Sequence, residues 1–138
     1  MSAAHESTRA VAWITVRKYE AITADATSAG GPAITRVHVE ESFRGDITGD
    51  GVVEFLQSGD VDGYASFVGI ERVSGAIAGR TGTFLLQDQG TVADDVVIGE
   101  WFVVPRSGTG ELAGLRGVGG FKANQGASAE VWLDYWFE

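Results

Sequence analysis

Residues 33–43 read Ala33-Ile34-Thr35-Arg36-Val37-His38-Val39-Glu40-Glu41-Ser42-Phe43. Apolar and polar side chains alternate with period two, the pattern of a β-strand that buries one face. Ala33, Thr35, Val37, Val39, Glu41 and Phe43 form the interior set, and Ile34, Arg36, His38, Glu40 and Ser42 face solvent. One carboxylate, Glu41, therefore falls on the buried side.

The same period recurs at Ala10–Tyr19, Val52–Gln57, Tyr64–Val73, Thr81–Gln87, Val96–Val104 and Ala129–Phe137. Turn signals bound these segments: Gly49-Asp50-Gly51, Asp62-Gly63, Gly90, Asp94-Asp95, Gly108 and Gly126. Ala24–Pro32, rich in Ala, Ser, Thr and Gly, reads as a loop. Asp25 and Ala26 carry the one hint of a helix start, in a segment too short and too glycine-flanked to sustain it.

A second pattern sets the architecture. Gly-x-(Ile/Leu)-x-Gly occurs at Gly45-Asp46-Ile47-Thr48-Gly49, Gly75-Ala76-Ile77-Ala78-Gly79 and Gly110-Glu111-Leu112-Ala113-Gly114. Each copy is followed by another glycine and a phenylalanine: Gly51 and Phe55, Gly82 and Phe84, Gly117 and Phe121. This reads as a repeated hairpin corner. Its glycines sit at strand ends or bulges, and its central aliphatic plugs one end of the core. Strands with many corners and no covering helices must bury their own face, and glycine-rich corners favour curvature and closure. The expectation is an all-β fold, a closed antiparallel β-barrel of eight to ten strands.

Composition narrows the function. The 138 residues suit one domain, 1–138, with 1–8 as a frayed tail. Ten Lys plus Arg against nineteen Asp plus Glu give a net charge of −9, which disfavours nucleic acid and anionic membrane surfaces. No cysteine is present, so a disulfide, a thiolate nucleophile and a cysteine-held zinc are excluded. Met1–Glu6 lacks the basic and apolar regions of a signal peptide, and no apolar run approaches a membrane span, so a cytoplasmic, soluble protein is expected. Gly108-Thr109-Gly110-Glu111-Leu112-Ala113 matches a dinucleotide fingerprint. That motif must open a helix, and Gly114, Gly117, Gly119 and Gly120 forbid one. Asp46, Asp50 and Gly51 do not keep the spacing of a calcium loop. His5, in the tail, and His38, on the solvent face, are the only histidines, so neither a histidine metal site nor a Ser-His-Asp triad is expected. No cofactor or metal is expected.

Polar residues on apolar faces remain. On residues 64–72 one face carries Ala65, Phe67, Gly69 and Glu71; on 82–88 one face carries Gly82, Phe84, Leu86 and Asp88. Val131, Leu133, Tyr135 and Phe137 bring a tyrosine hydroxyl inward on the last strand. An acid in an apolar lumen has a raised pKa and can exchange protons near neutral pH, and two or three together separate acid from base. The alternative sets these carboxylates at barrel rims, solvated or paired with Arg72, Arg80 or Arg116.

From Ser42 onward, over about two-thirds of the chain, several stretches carry a family resemblance. They are Phe43-Arg44-Gly45-Asp46, Gly69-Ile70-Glu71-Arg72-Val73-Ser74-Gly75, Gly79-Arg80-Thr81-Gly82-Thr83-Phe84, the run Ser107-Gly108-Thr109-Gly110-Glu111-Leu112-Ala113-Gly114-Leu115-Arg116-Gly117, and Leu133-Asp134-Tyr135. The sequence resembles a family of small bacterial proteins known as a domain of unknown function, whose fold is akin to the allene oxide cyclase-like, calycin-like barrel. The resemblance implies an antiparallel barrel with an enclosed cavity and no particular activity. The family pattern usually has a histidine near Asp88, a glycine at Arg106 and an acidic residue at Trp136. Two of these departures imply altered charge or bulk at a barrel mouth. Related barrels in polyketide pathways act as cyclases, including ones that close spiroacetal or cycloadduct rings.

Three readings follow. In the first, the protein is a cofactor-free cyclase or isomerase for a hydrophobic, polyketide-like substrate. Glu41, Glu71 and Asp88 move protons, Tyr135 is an orienting donor, and Trp13, Phe67, Phe84 and Trp101 line the pocket. In the second, the barrel is a carrier for a small apolar ligand. In the third, the lumen is filled and the outer surface acts, as a homodimer through Phe102, Trp132 and Trp136.

Overall fold

The computed structural model describes residues 6–25, 30–124 and 128–138. Eight antiparallel strands follow one another around a closed barrel: β1 (Thr8–Asp25), β2 (Ala33–Gly45), β3 (Ile47–Gly59), β4 (Ala65–Ile77), β5 (Arg80–Ala93), β6 (Val96–Val103), β7 (Leu115–Asn124) and β8 (Ala129–Phe137). β8 pairs back onto β1, Ala12 opposite Val131, so the first and last edges satisfy each other. A single 3-10 turn, Gly110–Leu112, lies between β6 and β7. It follows that the Gly108–Ala113 motif opens no α-helix. No helix among the described residues is long and apolar enough to cross a membrane.

The three glycine repeats gather at one end. Their central aliphatics, Ile47, Ile77 and Leu112, are all fully buried in one core with Phe84, Leu86, Leu115 and Leu133. This end is closed and packed. Gly45, Gly79 and Gly110 take φ of 119°, 76° and 60°, where a Cβ would be strained. Gly75 differs from the expectation of a strand end or bulge. It lies within β4 between Gly49 and Gly82, and a Cβ there would stand 1.8 Å from the Thr48 carbonyl oxygen. Glu111 ties the 3-10 turn to β5 by accepting from the Thr81 N–H and hydroxyl, at 3.2 and 3.0 Å.

Several further sequence expectations change. The third repeat is not a hairpin corner; it leads into β7, a strand hidden in the sequence because Gly117, Gly119 and Gly120 read as turn signals. Their bare backbone instead lets β7 lie close to β8: a Cβ on Gly119 would meet the Trp132 carbonyl oxygen at 2.0 Å. Thr8 is no part of a tail, since it pairs with Tyr135, and β1 runs on to Asp25, into the segment read as a loop from Ala24. Gly49-Asp50-Gly51 and Gly90, read as turn signals, lie within strands, the first three in β3 opposite Phe43, Ser42 and Glu41, the last in β5 opposite Phe67. His5, Ala26 and Gly126 lie outside the described residues.

One register shift shapes the other end. Between Val16 and Lys18 the β1–β2 ladder slips by one residue at Arg17. Ile14 and Val16 point inward before the slip, and Tyr19 and Ala21, opposite Val39 and Val37, share the inner face after it. β8 stops at Ile14, so beyond it β1 has β2 as its only strand partner among the described residues. The wall is interrupted there, and the lumen opens.

Candidate functional site

The half of the barrel toward β1's unpaired edge is hollow, with a cavity of about 520 Å³. Sites for small molecules run from about 300 to 1,000 Å³. The filled-lumen reading is therefore corrected: packing fills the closed end only.

Aromatic rings build one wall. Phe55 and Phe67 have centroids 5.6 Å apart, Phe67 and Phe121 6.1 Å, Phe121 and Trp101 5.1 Å. Each phenylalanine lies across a glycine on the adjacent strand. Phe55 pairs with Gly69, Phe67 with Gly90 and Phe121 with Gly99. A Cβ on those glycines would stand 2.4, 2.5 and 2.1 Å from the ring residue it faces. The glycines give the rings room to lie against the sheet. Trp101 is held by its indole N–H, which donates to the Trp132 carbonyl at 3.0 Å.

Three carboxyl groups form the floor, at the junction with the packed end. Among the described residues Glu41, Glu71 and Asp88 are the buried charged ones, 8%, 1% and 6% exposed. Glu41 on β2 stands opposite Gly51 on β3, and Asp88 on β5 stands between Gly69 and Trp101. Glu71 on β4 reaches over Gly51, where a Cβ would lie 2.1 Å from its Oε2. The bare backbone of β3 thus lets Glu71 meet Glu41 across an intervening strand.

The two glutamates are hydrogen-bonded side chain to side chain, which requires a proton between them. Burial pushes Glu71 well above the usual carboxylate range, and the bond to Glu41 and the charges of Glu41 and Asp88 push it further. Burial also raises Glu41, while the bond from Glu71 opposes the rise. Burial and mutual repulsion thus leave the pair sharing a proton, with Glu71 the more strongly raised of the two. Asp88 is pushed up to about 6, by burial first, with its own and Gly69's backbone N–H groups pulling down and Glu41 adding repulsion. No N–H or hydroxyl of the described residues reaches Asp88 Oδ1 or Glu71 Oε2. A proton donor and two proton acceptors therefore share one water-poor floor. No group of three or more His, Cys, Asp or Glu among the described residues is disposed to hold a metal ion.

Of the residues singled out in the sequence, Glu41, Glu71, Asp88, Phe67 and Trp101 meet at the cavity. Three do not. Trp13 lies on the outer face, 40% exposed, with the Arg44 guanidinium 5.9 Å from its ring, because the inner set of β1 is Ala10, Ala12 and Ile14. Phe84 points inward, but below the floor in the packed end. Tyr135 also points toward the closed end, edge-on to Phe137 at 6.2 Å, away from the carboxyl groups. Arg106 and Trp136 likewise belong to the closed end rather than the mouth; Trp136 has the Arg116 guanidinium 5.9 Å from its ring. Phe55 and Phe121, absent from the sequence-based set, belong to the wall. Their place after a glycine in each repeat was the available signal.

Comparison with known proteins places this barrel. The family model described as "Protein of unknown function (DUF3224)" matches residues 13–135. No curated protein matches the chain. A crystal structure of a protein of unknown function from the DUF3224 family of Shewanella oneidensis MR-1 is 32% identical, covers 96% of this chain and 99% of its own, and superposes with a TM-score of 0.81. The match spans strands β1 to β8 and so takes in the cavity and all three buried acids: the chain belongs to the DUF3224 family of proteins of unknown function.

Proposed function

We propose that the cavity binds a small, largely apolar, polyketide-like molecule with oxygen groups at one end, and that the carboxyl floor moves protons on it, as a cofactor-free isomerase or cyclase. The observation that carries this reading is the Glu41–Glu71 pair, one proton between two carboxyl groups at the base of an apolar cavity. Apolar walls hold a flexible chain folded, and water is kept from the reacting end. In spiroacetal closure, Glu71 protonates a ketone oxygen as a substrate hydroxyl attacks the carbonyl carbon, and Glu41 takes the hydroxyl's proton. The resulting hemiacetal oxygen is protonated in turn and leaves as water, and a second hydroxyl closes the second ring. A dihydroxyketone thus becomes a spiroacetal plus water. Acid–base help of this kind is worth about 10²–10⁴-fold.

The test is conversion of a symmetrical linear dihydroxyketone near neutral pH, followed by NMR. Wild-type protein is expected to accelerate closure, and Glu71→Gln, which keeps the shape and loses the proton, to lower the rate by about 10²-fold or more. An unchanged rate in Glu71→Gln removes that residue from the mechanism. Binding without turnover makes the barrel a carrier instead.

A further inference from the structure

We infer that the ligand of this cavity is an organic cation, a protonated amine on a hydrophobic body, with Asp88 as the anchor of its charge. The inference rests on reading the cavity as the ligand site and adds a basic nitrogen at the floor to the oxygen-bearing, largely apolar molecule proposed above.

Three independent observations carry it. First, the cavity holds three acids and, among the described residues that line it, no Lys, Arg or His. Buried charge is normally paired. Here the partner is missing from the protein, and Asp88 Oδ1, in a residue 6% exposed, lacks any donor. A ligand ammonium supplies both the charge and the N–H. Glu71 Oε2 also lacks a donor, but Glu41 and Glu71 are engaged with each other, whereas Asp88 has no side-chain partner and stands directly beside Trp101, which makes it the better anchor. Two backbone N–H groups, its own and Gly69's, also fix its carboxylate.

Second, the wall beside Asp88 is aromatic. Trp101 is its direct partner on β6, and Phe67 and Phe121 continue the surface. Ring faces attract cations, most strongly when both are out of water. The same rings bury the apolar body of the ligand.

Third, the approach is acidic. Asp25 closes β1, Asp60 and Asp62 lie on the β3–β4 turn, and Asp94 and Asp95 form the β5–β6 turn, all at the mouth. Arg44, Arg80, Arg106 and Arg116 lie toward the opposite, closed end. Arg36 near the start of β2 and Lys122 near the end of β7 lie toward the mouth as well, but the acids there outnumber them, and on a chain of net charge −9 the opening draws cations and repels anions. A fatty acid or a phosphate ester would meet unfavourable charge at the mouth and at the floor.

The experiment uses three indoles of nearly equal shape: tryptamine (cation), tryptophol (neutral) and indole-3-acetate (anion). Binding to the full chain is measured by calorimetry near pH 8. Tryptamine is expected to bind about tenfold or more tighter than tryptophol, with indole-3-acetate weakest. Asp88→Asn, checked for fold by circular dichroism, should abolish the preference for tryptamine over tryptophol. Equal affinity of amine and alcohol, or amine selectivity that survives Asp88→Asn, overturns the inference while the cavity remains a ligand site. Failure of all three to bind overturns the inference and the reading of the cavity together.

Discussion

Gly51 and Glu71 compete for one space: a Cβ on Gly51 would stand 2.1 Å from Glu71 Oε2 and 2.9 Å from the Phe43 ring. Gly51 takes no left-handed conformation, so alanine is allowed there by its backbone. Gly51→Ala therefore tests space alone. It should displace the Glu71 carboxyl and cost about 1–3 kcal/mol in denaturant unfolding. Combined with Glu71→Ala, which vacates the position, the two losses should add to less than their sum. Strict additivity would show that the two side chains do not contend.

Stability should fall as pH rises. Glu41, Glu71 and Asp88 all have folded-state pKa values above their ordinary ones, so the folded protein binds more protons than the unfolded chain between those values. For Asp88 the window runs from 3.8 to about 6, worth about 3 kcal/mol at ~1.4 kcal/mol per unit. Groups with lowered values, such as Asp134 beside Arg9, act in the opposite sense but are exposed and screened. Urea unfolding should give a lower free energy at about pH 8 than at about pH 5. Asp88→Asn should flatten the profile and stabilise the protein at the higher pH. A profile that rises over this range contradicts the burial account.

Leu112 belongs to the plug, not to the cavity. It is fully buried from a 3-10 turn held to β5 by Glu111 and Thr81. Leu112→Ala should cost about 2–5 kcal/mol, as deletions in packed cores do. Ligand affinity measured below the new melting temperature should stay as in wild type. A large affinity loss would mean that the closed end sets the cavity's shape.

The tryptophans should separate by face. Trp13→Ala removes an exposed ring and one distant guanidinium contact, for a cost below about 1 kcal/mol. Trp101→Ala empties a position 4% exposed and frees the Trp132 carbonyl, for about 3–5 kcal/mol. It should also weaken any cavity ligand. Equal effects of the two would place Trp13 wrongly.

The barrel was legible because alternation and corner chemistry agree. Val37, Val39 and Glu41 could only share a face, and so could Phe67 with Glu71 and Leu86 with Asp88, since period two is a property of the pleat. The aliphatics of the repeats, Ile47, Ile77 and Leu112, were readable as a plug for the same reason. β7 was not readable. A glycine that allows close strand approach and a glycine that turns the chain are the same letter, and only the neighbouring β8 shows which role Gly119 has.

Alternation names a face, but not a height along the barrel axis. Phe67 and Phe84 are equivalent by pattern, yet one lines the cavity and the other fills the closed end, because β4 runs from the mouth and β5 from the closed end, so that Phe67 falls opposite Gly90 and Phe84 opposite Val73. Tyr135 shares an inner face with the acids and lies toward the closed end, away from them. Composition and alternation alone establish an acidic, cysteine-free all-β chain whose strands carry three carboxylates on their apolar faces. Tertiary structure decided that those carboxylates meet. Strand register, the slip at Arg17 and the bare backbone of Gly51 bring Glu41, Glu71 and Asp88 to one level. Such through-space distances depend on pairings between residues tens of positions apart, which no local pattern encodes.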